Sequence, residues 1–159
     1  MAAQYDIERL IDDLVGLVKT NLNTKLTEIT IEKGDSLTLK SVNDSAYIIQ
    51  SMNQKIINFD PFIWVIVNNP ESDGIGPHTA LTVPVDIVIL VKDQNQDQNL
   101  YKRMFRYGRA LKEVIEDNWE KISFGIKLKV NSLAPAPVVL FNTSDPYKAV
   151  GVQVEADFA

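Results

Sequence analysis

The chain contains no cysteine, which removes disulfides, thiolate catalysis and every cysteine-ligated zinc or iron–sulfur site together. It has one histidine, His78, so a multi-histidine metal site cannot form within one copy. Positive charge is in the minority: 16 Lys and Arg stand against 21 Asp and Glu, a formal charge of −5. That balance disfavours nucleic acid as a ligand, because phosphate attraction needs a basic surface. No apolar run approaches the roughly 18 residues of a membrane span. The opening Met1-Ala2-Ala3-Gln4-Tyr5-Asp6 lacks the basic start and apolar core of a signal peptide, so residence in a cytoplasm is expected. Asn43-Asp44-Ser45 and Asn142-Thr143-Ser144 are then chance matches to a glycosylation signal. Aromatic residues, at 8%, read as too few and too little interleaved with basic residues for a base-stacking platform.

What is present is an ordinary globular composition, 45% hydrophobic and 23% charged over 159 residues. That length suits a single domain spanning 1–159, able to fold without a metal or disulfide staple. No repeat, low-complexity block or linker divides it. The first element is an amphipathic helix from about Tyr5 to Leu26. Ile7, Leu10, Ile11, Leu14, Leu17, Val18 and Leu22 recur at three- and four-residue steps. Asp6, Glu8, Asp12 and Asp13 occupy its early turns, suit the helix dipole, and read as a solvated face. Residues 27–58 are harder to read: Thr27 to Ile31 and Ser36 to Lys40 are short β-prone runs around a turn at Lys33-Gly34-Asp35. Tyr47-Ile48-Ile49 suits either a strand or a buried loop.

The strongest β signal follows, Phe62 to Val67 and then Ala80 to Lys92, joined by a polar loop from Asn68 to Thr79. In the second strand Val83, Val85, Ile87, Ile89 and Val91 share one face. Pro84 cannot donate to a ladder, which predicts an edge or a bulge there. Beyond a turn-like run at 93–97 a second helix is expected over about Gln98 to Asn118, with Leu100, Met104, Tyr107, Leu111, Val114 and Ile115 as its buried stripe. Strands at Ile126 to Val130 and Ala149 to Asp157 close the chain, around an irregular stretch with Pro135, Pro137 and Pro146. The order predicts an α+β fold, a mostly antiparallel β-sheet with two main α-helices packed on one face.

No phosphate loop, dinucleotide fingerprint or nucleophile elbow is found. Glu71 to His78 is the one place where a carboxylate, a hydroxyl and the histidine fall close in sequence. A Ser72–His78–Asp73 grouping is conceivable, but triad members normally come from separate elements. The run also lacks the ligand alternation of a calcium loop. No catalytic residue, metal site or cofactor is therefore assigned. The loop is long for a hairpin, which suits a contact surface and makes Asp73 and His78 candidate interface residues. Lys102, Arg103, Arg106 and Arg109 crowd the first half of the second helix, and Glu113, Glu116 and Asp117 the second half, against the helix dipole. Pairs such as Arg109–Glu113 and Lys112–Glu116 would hold a solvated face. Alternatively the helix offers a charged docking face for an acidic neighbouring subunit, with Lys102, Arg103, Arg106, Arg109, Glu113 and Glu116 as candidate interface residues. Trp64 and Trp119 read as core or interface.

An N-terminal amphipathic helix, a hairpin ending in Val83-Pro84-Val85-Asp86-Ile87-Val88-Ile89-Leu90-Val91, a helix and two closing strands form a familiar layout. With Tyr107-Gly108-Arg109-Ala110-Leu111-Lys112-Glu113-Val114-Ile115 and Val150-Gly151-Val152-Gln153-Val154-Glu155-Ala156, it resembles the tail terminator (tail completion) proteins of long-tailed bacteriophages. The likeness runs from about Tyr5 to Phe158. The resemblance implies a structural virion protein at the tail–neck junction, assembled in the host cytoplasm. Six copies would form a ring that caps the tail tube, ends its polymerisation and meets the neck or head-completion protein. A sheath protein would be a further partner where the tail has one, and DNA would pass through the centre without specific binding. An acidic chain suits such a lumen, which would repel phosphate. A neck, head-closure or baseplate adaptor is the alternative within the same machinery. From other classes come a small enzyme using the loop around His78 and a DNA binder using the basic residues of the second helix.

Overall fold

The computed structural model describes residues 7–50, 59–72, 81–92, 99–122, 127–132, 136–138 and 147–158. Helix α1 spans Ile7–Lys33, and its buried stripe of Leu10, Ile11, Leu14, Leu17, Val18, Leu22, Leu26 and Ile29 continues the expected spacing one turn past Leu26. Thr27 to Ile31, expected as β-structure, is therefore helical. Burial of Ile29 outweighs the weak helix preference of β-branched residues. The threonine hydroxyls are absorbed into the helix: Thr27 Oγ1 donates to the Asn23 carbonyl at 3.1 Å and Thr30 Oγ1 to the Leu26 carbonyl at 2.8 Å. The helix stops at Gly34, whose φ of 61° suits a residue without Cβ. Lys33-Gly34-Asp35 is thus a helix end, not a turn between strands. Ser36 to Lys40, expected as a strand, is irregular, and the chain here runs back along α1 with Leu37, Leu39, Val42 and Ala46 buried. Asn23 fastens it by donating Nδ2 to the Val42 carbonyl at 2.9 Å and accepting the Val42 N–H on Oδ1 at 2.8 Å.

The strands are β1 (Tyr47–Ile49), β2 (Phe62–Val67), β3 (Glu71–Ser72), β4 (Leu81–Lys92), β5 (Lys127–Ser132), β6 (Ala136–Val138) and β7 (Tyr147–Phe158). They form one sheet in the order β1-β2-β4-β7-β5, with β3 on β4 and β6 on β7. All pairings are antiparallel except β1 with β2. Part of the expected loop after Val67 is therefore paired, as β3, and β6 falls within the proline-bearing stretch expected to be irregular.

Pro84 occupies the interior of β4, which pairs on both sides, so an edge position is excluded. The bulge is present. Val67 faces Val85 and Glu71 faces Thr82, so one extra residue is accommodated at 68–70. Asn68 N–H still donates to the Pro84 carbonyl at 2.9 Å. The reciprocal bond has no donor, and β2 gives way to β3 at that point.

Val83, Val85, Ile87, Ile89 and Val91 are buried, as the alternation predicts. They join Ile63, Val65, Val150, Val152, Val154 and Ala156 in one core with both helices. Helix α2, Leu100–Asn118, buries the predicted stripe together with Arg106, Gly108 and Ala110. At Gly108 the helix comes so close to the sheet that a Cβ would lie 2.9 Å from Val150 Cγ2. The two helices lie on one face of the sheet, the α+β arrangement expected. Along the opposite face Phe62, Leu90 and Tyr147 are fully buried at one end. Farther along, Trp64, Ile66, Asp86, Val88, Gln153, Glu155 and Asp157 are half-buried. Trp64 Nε1 donates to the Gln50 carbonyl at 2.9 Å, and Asp86 accepts from Asn68 at 3.2 Å and Gln153 at 3.0 Å.

Candidate interaction surface

Helix α2 places charge against its own dipole, with Lys102, Arg103, Arg106 and Arg109 in its first three turns, and α1, which ends favourably on Lys33, also carries Glu28 and Glu32 in its last two turns. The fold resolves this by setting the helices antiparallel. Arg106 Nη1 donates to Asp35 Oδ1 at 3.0 Å while Nη2 donates to Oδ2, a two-pronged pair. Arg109 grips Glu32 the same way at 3.1 and 2.8 Å, and its Nε reaches Glu113 at 2.8 Å. Lys25 answers from α1 with Asp117 at 3.5 Å and its neighbour Glu28 at 3.1 Å. Lys112 lies 3.8 Å from Glu116. The Arg109–Glu113 and Lys112–Glu116 pairs expected from four-residue spacing are both formed, but the cross-helix contacts to Asp35 and Glu32 are additional.

These contacts set the local electrostatics. The hydrogen bonds from Arg106, aided by the Leu37 N–H, hold the Asp35 carboxyl down to about 2 against a smaller opposing effect of desolvation. Glu32 is lowered by its hydrogen bonds from Arg109, whose own guanidinium is made harder to deprotonate by Glu32 and then Glu113. Arg106 and Arg109 are therefore committed to carboxylates. A phosphate clamp on them would first have to break these pairs. Arg106 is moreover buried, and Arg103 is half-buried. Of the four basic candidates Lys102 alone is exposed, and Lys33 at the end of α1 is exposed beside it.

Between these lysines lies the feature that sequence reasoning missed. Tyr101 is 57% exposed and Phe105 60% exposed. With Lys33, Lys102, Arg106 and Arg109 they line an open groove of about 330 Å³. Aromatic and basic side chains do interleave here, contrary to the expectation that they would not. The signal was the sequence Tyr101-Lys102-Arg103-Met104-Phe105-Arg106, in which Tyr101 and Phe105 sit one helical row beside the Leu100 and Met104 stripe. At the other end of α2 the chain turns through Trp119–Lys121. Trp119 is 49% exposed there, among exposed Glu116, Asp117 and Glu120. Ile31 and Ile49 are two further exposed apolar side chains.

Asp73 and His78 lie outside the described residues, as does most of the 68–79 loop. Among the described residues no group of three or more His, Asp or Glu is placed to hold a metal ion, and no helix is long and apolar enough to cross a membrane. No protein-family model matches the sequence, and a search of characterised proteins finds no match. The arrangement defines an α+β protein with uncovered aromatic side chains bordered by charge on its surface.

Proposed function

We propose that this chain is a structural assembly protein of the tail-terminator kind, forming a ring, with six copies by resemblance, that caps a phage tail tube and joins it to the neck. The observation that carries this reading is the distribution of uncovered apolar side chains. Ile49 lies on the edge strand β1, Tyr101 and Phe105 at one end of α2, and Trp119 at the other. A ring subunit seated between a tube and a neck has neighbours on several sides and needs several separate contact patches of this sort. The element layout adds support, because β4, α2 and β7, which carry the resemblance, pack directly on one another. The reading leaves DNA as a passing cargo.

The test is chemical cross-linking of the tagged protein in cells where it is naturally made, followed by identification of the linked peptides. Links between copies, together with a tail-tube subunit and a neck protein, are the expected result. Head proteins alone would move the chain to the neck. Recovery of no virion protein would refute the assignment.

A further inference from the structure

The two ends of α2 are complementary. One presents Tyr101 and Phe105 with exposed Lys102 and Lys33, which act on Asp35 and Glu32 without closing an ion pair among the described residues. The other presents Trp119 with Glu116, Asp117 and Glu120. Glu120 likewise has no ion pair there, Glu116 has a long one at 3.8 Å, and Asp117 leaves its side chain 61% exposed. Some 18 residues separate Tyr101 from Trp119, about 27 Å along a helix, so one copy cannot satisfy itself.

We propose that the Tyr101–Lys102–Phe105 end of α2 binds the Glu116–Trp119–Glu120 end of α2 in a second copy of this chain, head to tail. This rests on the self-assembling reading above and names its contact surface. The occupant follows from charge. The chain as a whole is acidic, so its cationic patch is unusual, and the opposite end of the same helix supplies both acid and an aromatic anchor. Pairing like ends would set lysines against lysines or carboxylates against carboxylates, which electrostatics disfavours. Joining unlike ends leaves one donor and one acceptor surface free on every open oligomer, so copies add in one direction until the ring closes. Aromatic side chains surrounded by charge are the usual anchors of such contacts.

The experiment is sedimentation velocity on the full chain over a concentration series, comparing wild type with Lys102→Glu, Glu120→Lys and the double reversal. Both positions are exposed, and far-UV circular dichroism checks the fold. Each single reversal should weaken assembly by about tenfold or more, and the double reversal should recover most of that loss. Phe105→Gln and Trp119→Gln read the same contact should a reversal disturb folding. Assembly unchanged in the single reversals overturns this contact and leaves the ring reading standing. Singles that weaken assembly without recovery in the double overturn the pairing of these two ends. A wild-type chain that stays monomeric up to about 100 µM overturns the contact and the self-assembling reading together.

Discussion

Two glycines invite the same substitution with unlike results. Gly151 lies in β7 opposite Val88 of β4, and a Cβ there would sit 2.3 Å from the Ile87 carbonyl oxygen and 2.9 Å from Val88 Cα. Ordinary carbon–oxygen contact begins near 3.3 Å, so Gly151→Ala must push two central strands apart by about 1 Å. The obstructing atoms are backbone, and no rotamer change relieves them. A cost of about 3 kcal/mol follows, which for a domain of this length lowers Tm by roughly 6–12 °C. Gly108→Ala meets a single methyl of Val150 at 2.9 Å, and alanine regains about 1 kcal/mol of helix preference. The net change there should stay within about 1 kcal/mol. Urea denaturation monitored by circular dichroism measures both, with the slope expected to match wild type. If Gly151→Ala falls within about 1 kcal/mol of wild type, the reasoning from strand approach is wrong.

Asp35 makes stability depend on acid. Its folded-state pKa, held down to about 2, lies below its unfolded value, so its contribution is complete above roughly pH 4 and lost as pH falls through 2. Thermal unfolding from pH 5 to 2 should show a steeper loss in wild type than in Asp35→Asn, and parallel curves would count against the Arg106 contact. Asn23→Ala removes both hydrogen bonds to Val42 and should cost about 2 kcal/mol. Faster hydrogen exchange over residues 34–46 should accompany that loss, and unchanged exchange would show that the segment is held by other means.

The buried stripe of α2 was legible because Leu100, Met104, Tyr107, Leu111, Val114 and Ile115 follow one helical period without interruption. The face of β4 was legible for the same reason at period two. The second half of α1 was not, since Thr27 to Ile31 carries β-prone residues whose helical state depends on Ile29 reaching the core. Pro84 was half legible: its missing donor marks a break in pairing, but nothing local says that another strand lies on its far side. The charged face of α2 was visible in sequence, whereas its strongest partners were not. Asp35 and Glu32 lie 71 and 77 residues from the arginines they hold. Such pairs are fixed by how helices dock, and side-chain spacing along one helix carries no trace of them. The exposed Tyr101 and Phe105 were not legible as a surface because the low aromatic content over the whole chain hid a local run in which both stand among Lys102, Arg103 and Arg106.

Strand β7 lies inside the sheet, between β4 and β5, and its pairing with β4 runs from Leu81–Phe158 to Lys92–Tyr147. During synthesis β4 therefore exists for some 60 residues as an open edge, twelve residues long and rich in valine and isoleucine. Edges of that kind recruit other strands. The sheet cannot close until residue 158 has left the ribosome, so folding of this layer waits on the whole length described here. A chain halted before residue 147 would keep the helix pair and lose the strand that covers β4. It would be a template for aggregation with other copies in the same state.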